Sequence, residues 1–319
     1  MSVVDDFPTT RETVTPAAKS LRRTRRRRRV SGDDVDSSVR GRRGGSKWFV
    51  LLGLIAFTVY SVGPAWWLIV SATKSREQLY TTNGLWFGQF SIVDNLISLF
   101  TYQGGVFGVW LSNSALYSFA GAAGQTLVAL AAGYGLAMYR FKGKSASMGF
   151  IIGSFLIPGT LLTIPSYLLY VQIGIYDTGW AMILPAFFSP FSVYLAKVYT
   201  EGAMPPELIE AARIDGAGEY RIFFQIGLRL LTTAGATIFL LHFVATWNAF
   251  FGPIVFLRAV EKWPVMLGLY SWLQRGTDSS VDLTSLVITG SLVATIPMVA
   301  LMVAMQRYWR AGVTMGSLK

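Results

Sequence analysis

The chain has 319 residues, of which 52% are hydrophobic and only 14% charged, with a mean hydropathy of +0.45. A soluble domain carries about 25% charged residues, so these values put the chain in the membrane class. It has no cysteine, which excludes disulfides, thiolate nucleophiles and thiolate metal sites, and one histidine, His242, too few for a His-rich metal site. The formal charge of +11 would suggest nucleic acid for a soluble protein. In a membrane protein basic cytoplasmic loops account for it, and no nucleic-acid partner is expected.

Residues 1–47 are polar, poor in large apolar residues, and contain the arginine run that ends at Arg29. They read as a disordered cytoplasmic tail whose charge fixes topology, ahead of a transmembrane domain over 48–319. A cleaved signal peptide is not expected, because the basic region and the apolar segment after it are both too long. Six segments are long enough to cross a bilayer: 48–72, 110–138, 148–171, 179–199, 231–257 and 283–305. Pro185 and Pro190 interrupt the fourth, which a kinked membrane helix tolerates. The fold expected is therefore an all-α membrane protein with six transmembrane helices.

Orientation follows from the cations. With a cytoplasmic N-terminus, 23 of the 28 Lys and Arg fall inside, and only Lys74, Arg76, Arg258, Lys262 and Arg275 fall outside. Both termini are expected in the cytoplasm. Two outside segments, about 73–109 and 258–282, carry aromatics, among them Trp86, Phe90, Trp263 and Trp272, suited either to an interfacial belt or to a docking partner.

The inside segment between the fourth and fifth spans, Thr200 to Arg229, is longer than a connection needs, and it holds five of the seventeen acids. Pro205-Pro206-Glu207 is a helix-start signal, with proline suited to the first turn and an acid at the positive end of the dipole. Leu208, Ala211 and Ala212 make an apolar stripe, and Gly216 supplies a left-handed stop. Tyr220, Phe223, Phe224 and Gly227 make a second stripe. The pattern predicts two short helices lying at the cytoplasmic face.

Glu210-Ala211-Ala212, three residues, Gly216, nine residues, Ile226, one residue and Leu228 resemble the EAA loop of ABC importer permeases. The string Glu210 to Ala217 is similar to the carbohydrate-uptake branch, in particular its maltose-type second permease. The resemblance covers about 48–319. It takes in Pro64-Ala65-Trp66-Trp67 with Ser71 and Lys74, Asn113-Ser114, the Pro158 to Pro165 region, Trp247-Asn248, and the tail from Gln306-Arg307-Tyr308 to Gly312, Thr314 and Gly316. One position departs from it: Arg229 follows Leu228 where the family pattern has proline.

The resemblance implies that Glu210, Ala211, Ala212, Asp215 and Gly216 couple the chain to a separate ATPase subunit. That ATPase, working as a dimer, would bind and hydrolyse ATP with Mg, leaving this chain non-catalytic and without a cofactor of its own. It further implies a second homologous permease subunit, an extracytoplasmic solute-binding protein and a sugar substrate, all at the lipid of a bacterial plasma membrane. Asn113, Trp247 and Asn248 are candidates for the substrate pathway. For Trp247 the alternative is an interface anchor. An importer of amino acids or polyamines is the second reading, and an ion-coupled carrier the third; the latter needs ionisable groups within the spans, whereas the acids here lie mostly in loops.

Other signals carry less. Gly143-Lys144-Ser145 looks like the end of a phosphate-binding loop, but the glycine required five residues earlier is Met138. His242, alone in mid-span, is expected to be a hydrogen-bonded packing residue. The clusters Gly121-Ala122-Ala123-Gly124 and Gly149 to Gly153 are expected to be helix-packing surface.

Overall fold

The computed structural model describes residues 44–276 and 283–316, with side chains over 47–275 and 283–308. The basic tail expected over 1–47 lies almost wholly outside the described residues. Among these, all regular structure is helical. The chain divides into two units, residues 1–60 and 61–319.

In the first unit the described part belongs to helix α1 (Gly44–Ala72). Its side chains up to Tyr60 are exposed and almost all apolar, with Phe49 at 79% and Tyr60 at 81%. Such a surface suits lipid, where the helix satisfies every backbone group internally. Thr58 directs its hydroxyl at the Leu54 carbonyl, 2.8 Å away, so it adds no unpaired polar group.

The second unit continues with α2 (Ile92–Thr101), α3 (Val106–Met138), α4 (Lys144–Ser154), α5 (Thr163–Gln172), α6 (Trp180–Ala186), α7 (Pro190–Ala203) and α8 (Pro206–Ile214). A helical run over 219–230 follows, then α9 (Thr232–Trp247), α10 (Phe251–Phe256), α11 (Val265–Gly276) and α12 (Thr284–Gly316). Among the described residues four stretches are long and apolar enough to cross a membrane: 47–72, 92–138, 180–203 and 284–308. Two bent pairs bring the number to six if each is one span: 144–154 with 159–172, at 96°, and 219–230 with 232–247, at 74°.

The expected third span, 148–171, is thus not one helix. Pro158 lacks an N–H and disfavours helix for Ile157, so α4 stops at Ser154 and the chain turns sharply before α5. The expected fourth span breaks where its prolines predicted. Ser189 sits just before Pro190, and its hydroxyl accepts the Ser192 N–H at 3.3 Å, a cap that restarts the helix as α7. The expected fifth span is interrupted at 248–250, between α9 and α10. Helix α2 had no counterpart in the expected spans, being only ten residues long.

Helix α3 is the hub. Gly133 brings it so close to α7 that an added Cβ would lie 2.6 Å from both the Ala196 Cβ and the Lys197 backbone nitrogen. Ala129, Leu130 and Tyr134 of α3 share one core with Ala196 of α7, Ile209 and Ala212 of α8, and Ala234 and Ile238 of α9. Nearer its N-terminus, Phe107 and Trp110 of α3 pack with Leu99, Leu269, Trp272 and Leu283. In the middle, Ala122 meets Phe243 and Trp247.

Candidate functional site

The 200–229 loop is built from a proline start and a glycine stop. Pro205 takes an extended conformation and Pro206 occupies the first turn of α8, where its missing N–H costs nothing. Glu207 lies in that first turn and Arg213 in the last, both complementing the helix dipole. At the other end Gly216 has φ +78°. Its N–H donates to the Arg213 carbonyl and that of Ala217 to the Ala212 carbonyl, both at 3.0 Å. These two bonds are the Schellman pattern, which satisfies carbonyls the helix leaves open.

The face that α8 turns inward is Ile209 and Ala212. This corrects the expected stripe: Leu208 and Ala211 point outward, and only Ala212 is shared. Adjacent pairs on so short a helix satisfy the same three-residue spacing, and contact with the α3–α9 core decides between them. Glu207, Leu208, Glu210, Ala211 and Ile214 are exposed, Ile214 at 86%. The second expected stripe is corrected too. Ile222 and Gly227 are buried, Phe223 is half-buried, and Tyr220 and Phe224 are exposed. Residues 222–227 wind in wide π-type turns, which shift the phase that a 3.6-residue period assumes.

Polar ties hold this loop to the end of α3. Arg213 Nε lies 2.7 Å from Glu219 Oε1, and the Tyr139 hydroxyl donates to Glu219 Oε2 at 2.5 Å. The carboxylate holds the Arg213 guanidinium still more firmly in its charged form. Beside them is a polar cavity of about 500 Å³, lined among others by Tyr139, Arg140, Lys144, Glu210 and Arg213. Asp215 is exposed at the helix end. Lys144 donates to the Tyr139 carbonyl at 3.1 Å, closing the C-terminus of α3, and Gly143 has φ +91° in the turn before α4.

Trp247 and Asn248 line a second cavity, of about 340 Å³, with Tyr270, Ser291, Thr295 and Met298 among its walls. Trp247 is 2% exposed and stacks on Phe243 with ring centroids 5.4 Å apart, so it is a core residue with an edge on the cavity. Asn248 donates to the Val244 carbonyl at 2.8 Å. Asn113 is not among the cavity's lining residues. Its amide donates to the carbonyls of Glu261 and Trp263, at 2.7 and 3.1 Å, and so fastens the segment before α11 to α3. Trp110 Nε1 does the same to the Val260 carbonyl at 2.8 Å, and the Tyr117 hydroxyl to that of Lys262 at 3.0 Å.

Sequence reasoning did not find Asp177, which clamps two loops together. Its Oδ1 accepts the N–H groups of Arg258 and Ala259, at 2.9 and 3.0 Å, and its Oδ2 lies 3.0 Å from Lys262 Nζ. Burial alone would raise the carboxyl. The Ala259 N–H, the Lys262 ammonium and the Arg258 N–H outweigh it and hold the group below its ordinary value of 3.8. The only sequence signal was the turn chemistry of Gly174, Asp177 and Gly179. Asp177 itself has φ +54°, a conformation aspartate tolerates better than most residues. His242 is 3.1 Å from the Thr246 hydroxyl and packs against Gly121. Gly124 lies under the Phe187 ring, so that small-residue cluster is a packing surface, whereas Gly149 and Gly153 have no neighbour among the described residues where a Cβ would be. Among the described residues no group of three or more His, Cys, Asp or Glu could hold a metal.

All-helical among its described residues, with several apolar spans and a capped surface helix seated on its core, the chain has the architecture of a polytopic membrane protein. Residues 125–314 match the family model described as "Binding-protein-dependent transport system inner membrane component", and the chain belongs to that family, the permeases of ABC importers. It is 32% identical to the arabinooligosaccharides transport system permease protein AraQ of Halalkalibacterium halodurans, over 85% of this chain and 96% of that one. It is 29% identical to the lactose transport system permease protein LacG of Rhizobium radiobacter, over 85% of this chain and 95% of that one. Among solved structures, a chain of a bacterial ABC transporter that imports the acidic polysaccharide alginate has the same fold, with a TM-score of 0.71 at 21% identity, over 87% of this chain and 98% of that one.

Proposed function

We propose that this chain is the permease subunit of an ATP-driven sugar importer and that α8 is its coupling helix. The observation that carries the reading is the division of α8 into two faces. Ile209 and Ala212 are seated in the α3–α7–α9 core, while Leu208, Glu210, Ala211 and Ile214 stand exposed around a small-residue surface. A helix held from behind and open in front suits insertion into a groove of the partner ATPase, and Tyr220 and Phe224 extend the apolar area beside it. ATP with Mg is bound by that ATPase dimer and not by this chain. Closure of the dimer moves α8, and the spans of this chain and of a second homologous permease then alternate their access. A binding protein delivers the solute from outside. Both termini, and the 200–229 loop with them, are cytoplasmic.

Sugar is favoured over amino acids and polyamines by the relatives' arabinooligosaccharide and lactose transport names, and by the cavity at Trp247 and Asn248, none of whose lining residues is charged. Gly149 and Gly153 leave part of α4 uncovered, which suits close approach of the second permease subunit. The test is subunit co-purification and solute uptake with Glu210→Ala. The chain should insert normally but lose coupling, and parental uptake with a parental amount of bound ATPase would refute the role.

A further inference from the structure

The coupling helix meets α3 in two ways. One is apolar: Ile209 and Ala212 rest against the core that includes Ala129, Leu130 and Tyr134. Contacts of that kind are non-directional and allow small sliding movements. The other is polar and directional. A single carboxylate, Glu219, is held by Arg213 Nε of α8 at 2.7 Å and by the hydroxyl of Tyr139, the residue that closes α3, at 2.5 Å. Three elements therefore converge on one side chain.

We propose that Glu219 is a positioning residue for coupling, whose carboxylate ties α8 to the end of α3 so that a displacement of α8 is passed to the long helix. The inference rests on reading α8 as the helix that docks on the ATPase. Two further observations support it. The polar cavity of about 500 Å³ lies between α8 and the turn after α3, which leaves part of that side of α8 open, and Arg213 and Tyr139 of the tie line it. Arg140, Lys144 and Arg213 also line that cavity, so loss of Glu219 leaves Arg213 among other cations with only Glu210 as a lining carboxylate. Both partners of the ion pair are 44% exposed, and an exposed pair of this kind contributes little to folding. Its value lies in fixed geometry, because charge-assisted bonds hold orientation in a way that apolar contact does not.

The test uses the complete importer in membranes and needs no knowledge of the sugar. Thr295→Cys places a single thiol on the exposed wall of the Trp247 cavity in a chain that has no cysteine. Its labelling by an impermeant maleimide is measured without nucleotide and after trapping with ATP and vanadate. In the parent, trapping should change the labelling rate severalfold. With Glu219→Ala the ATPase should remain bound and hydrolysing, but the nucleotide-dependent change should fall at least fivefold. Tyr139→Phe should be intermediate. The swap Arg213→Glu with Glu219→Arg should restore the response, since the Tyr139 hydroxyl accepts as well as donates. A full response in Glu219→Ala would overturn the proposal, as would a swap no better than either single change. Loss of bound ATPase in every variant would also overturn it, by making the tie an assembly element. No nucleotide response in the parent would instead contradict the underlying reading, and the proposal with it.

Discussion

The N–H of Ala217 donates to the carbonyl of Ala212 across the left-handed turn at Gly216, at 3.0 Å. This bond sets where α8 ends and in which direction the chain leaves it. Beyond its chain neighbours, no described residue lies within 4 Å of where a Gly216 Cβ would be, so the constraint is torsional and not one of space. Gly216→Ala should cost about 1 kcal/mol of local stability, Gly216→Val more, and Gly216→Asn less, because asparagine tolerates positive φ. Transport should fall in the order Asn, Ala, Val while membrane insertion is unchanged. Equal transport in all three, measured by uptake beside immunoblotted membrane levels, would show that the direction of exit does not matter.

Asp177 offers a pH test on the opposite loops. A carboxyl held below its ordinary value contributes stability that is complete above that value and is lost as the pH falls through the folded-state value. The detergent-solubilised chain should therefore keep this contribution at neutral pH and lose it below about pH 4. Asp177→Asn removes the charge but keeps an acceptor and tolerates the left-handed backbone. It should lower stability at pH 7 by about 1 kcal/mol, discounted for exposure, and lessen the acid dependence. Thermal unfolding of both forms at pH 7 and at about pH 2 checks this, and identical curves would mean the clamp is idle.

Arg229→Pro should be tolerated. The position lies in a helical run already distorted by the wide turns of 222–227 and bent by 74° before α9 begins. Arg229 is exposed, so no packing is lost. The Thr232 hydroxyl already caps the Arg229 carbonyl at 2.6 Å. Near-parental uptake is expected; loss of both folding and uptake would reveal a partner for the guanidinium.

The topology can be read with single cysteines. Gly218→Cys should react with an impermeant reagent only from the cytoplasmic side, and Gln89→Cys only from outside. Outside labelling at Gly218 would remove the loop from any ATPase.

Much of this was legible in the sequence because the relevant forces are local. Pro205, Pro206 and Gly216 announced the bounds of α8, and Pro185 with Pro190 announced the break before α7. The rest depended on groups far apart in the chain. Hydropathy cannot distinguish a straight span from the 96° bend at Pro158. The periodicity of α8 could not choose between Leu208 and Ile209, because their separation is one residue and only the core behind them differs. The Tyr139–Glu219 contact joins residues 80 apart and that of Asn113 with Glu261 residues 148 apart, so neither leaves a local signal. Asn113 and Trp247 looked alike as pathway candidates. The fold gives one to a loop staple and the other to a buried stack with an edge on a cavity.

The central claim, that the outer face of α8 docks on the ATPase, is tested most directly by Ala211→Trp in the intact importer. Ala211 is exposed, so a bulky side chain there disturbs nothing within the chain. The measurement is the amount of ATPase that co-purifies with the permease from membranes containing equal amounts of each variant. Glu201→Ala, whose carboxylate pairs with Lys197 on α7 at 2.8 Å, is the control and should retain the ATPase. The account predicts that Ala211→Trp loses most of the bound ATPase, and its uptake, while remaining inserted. Co-purification at the parental level with normal uptake would contradict it and leave the 200–229 loop as no more than a connection.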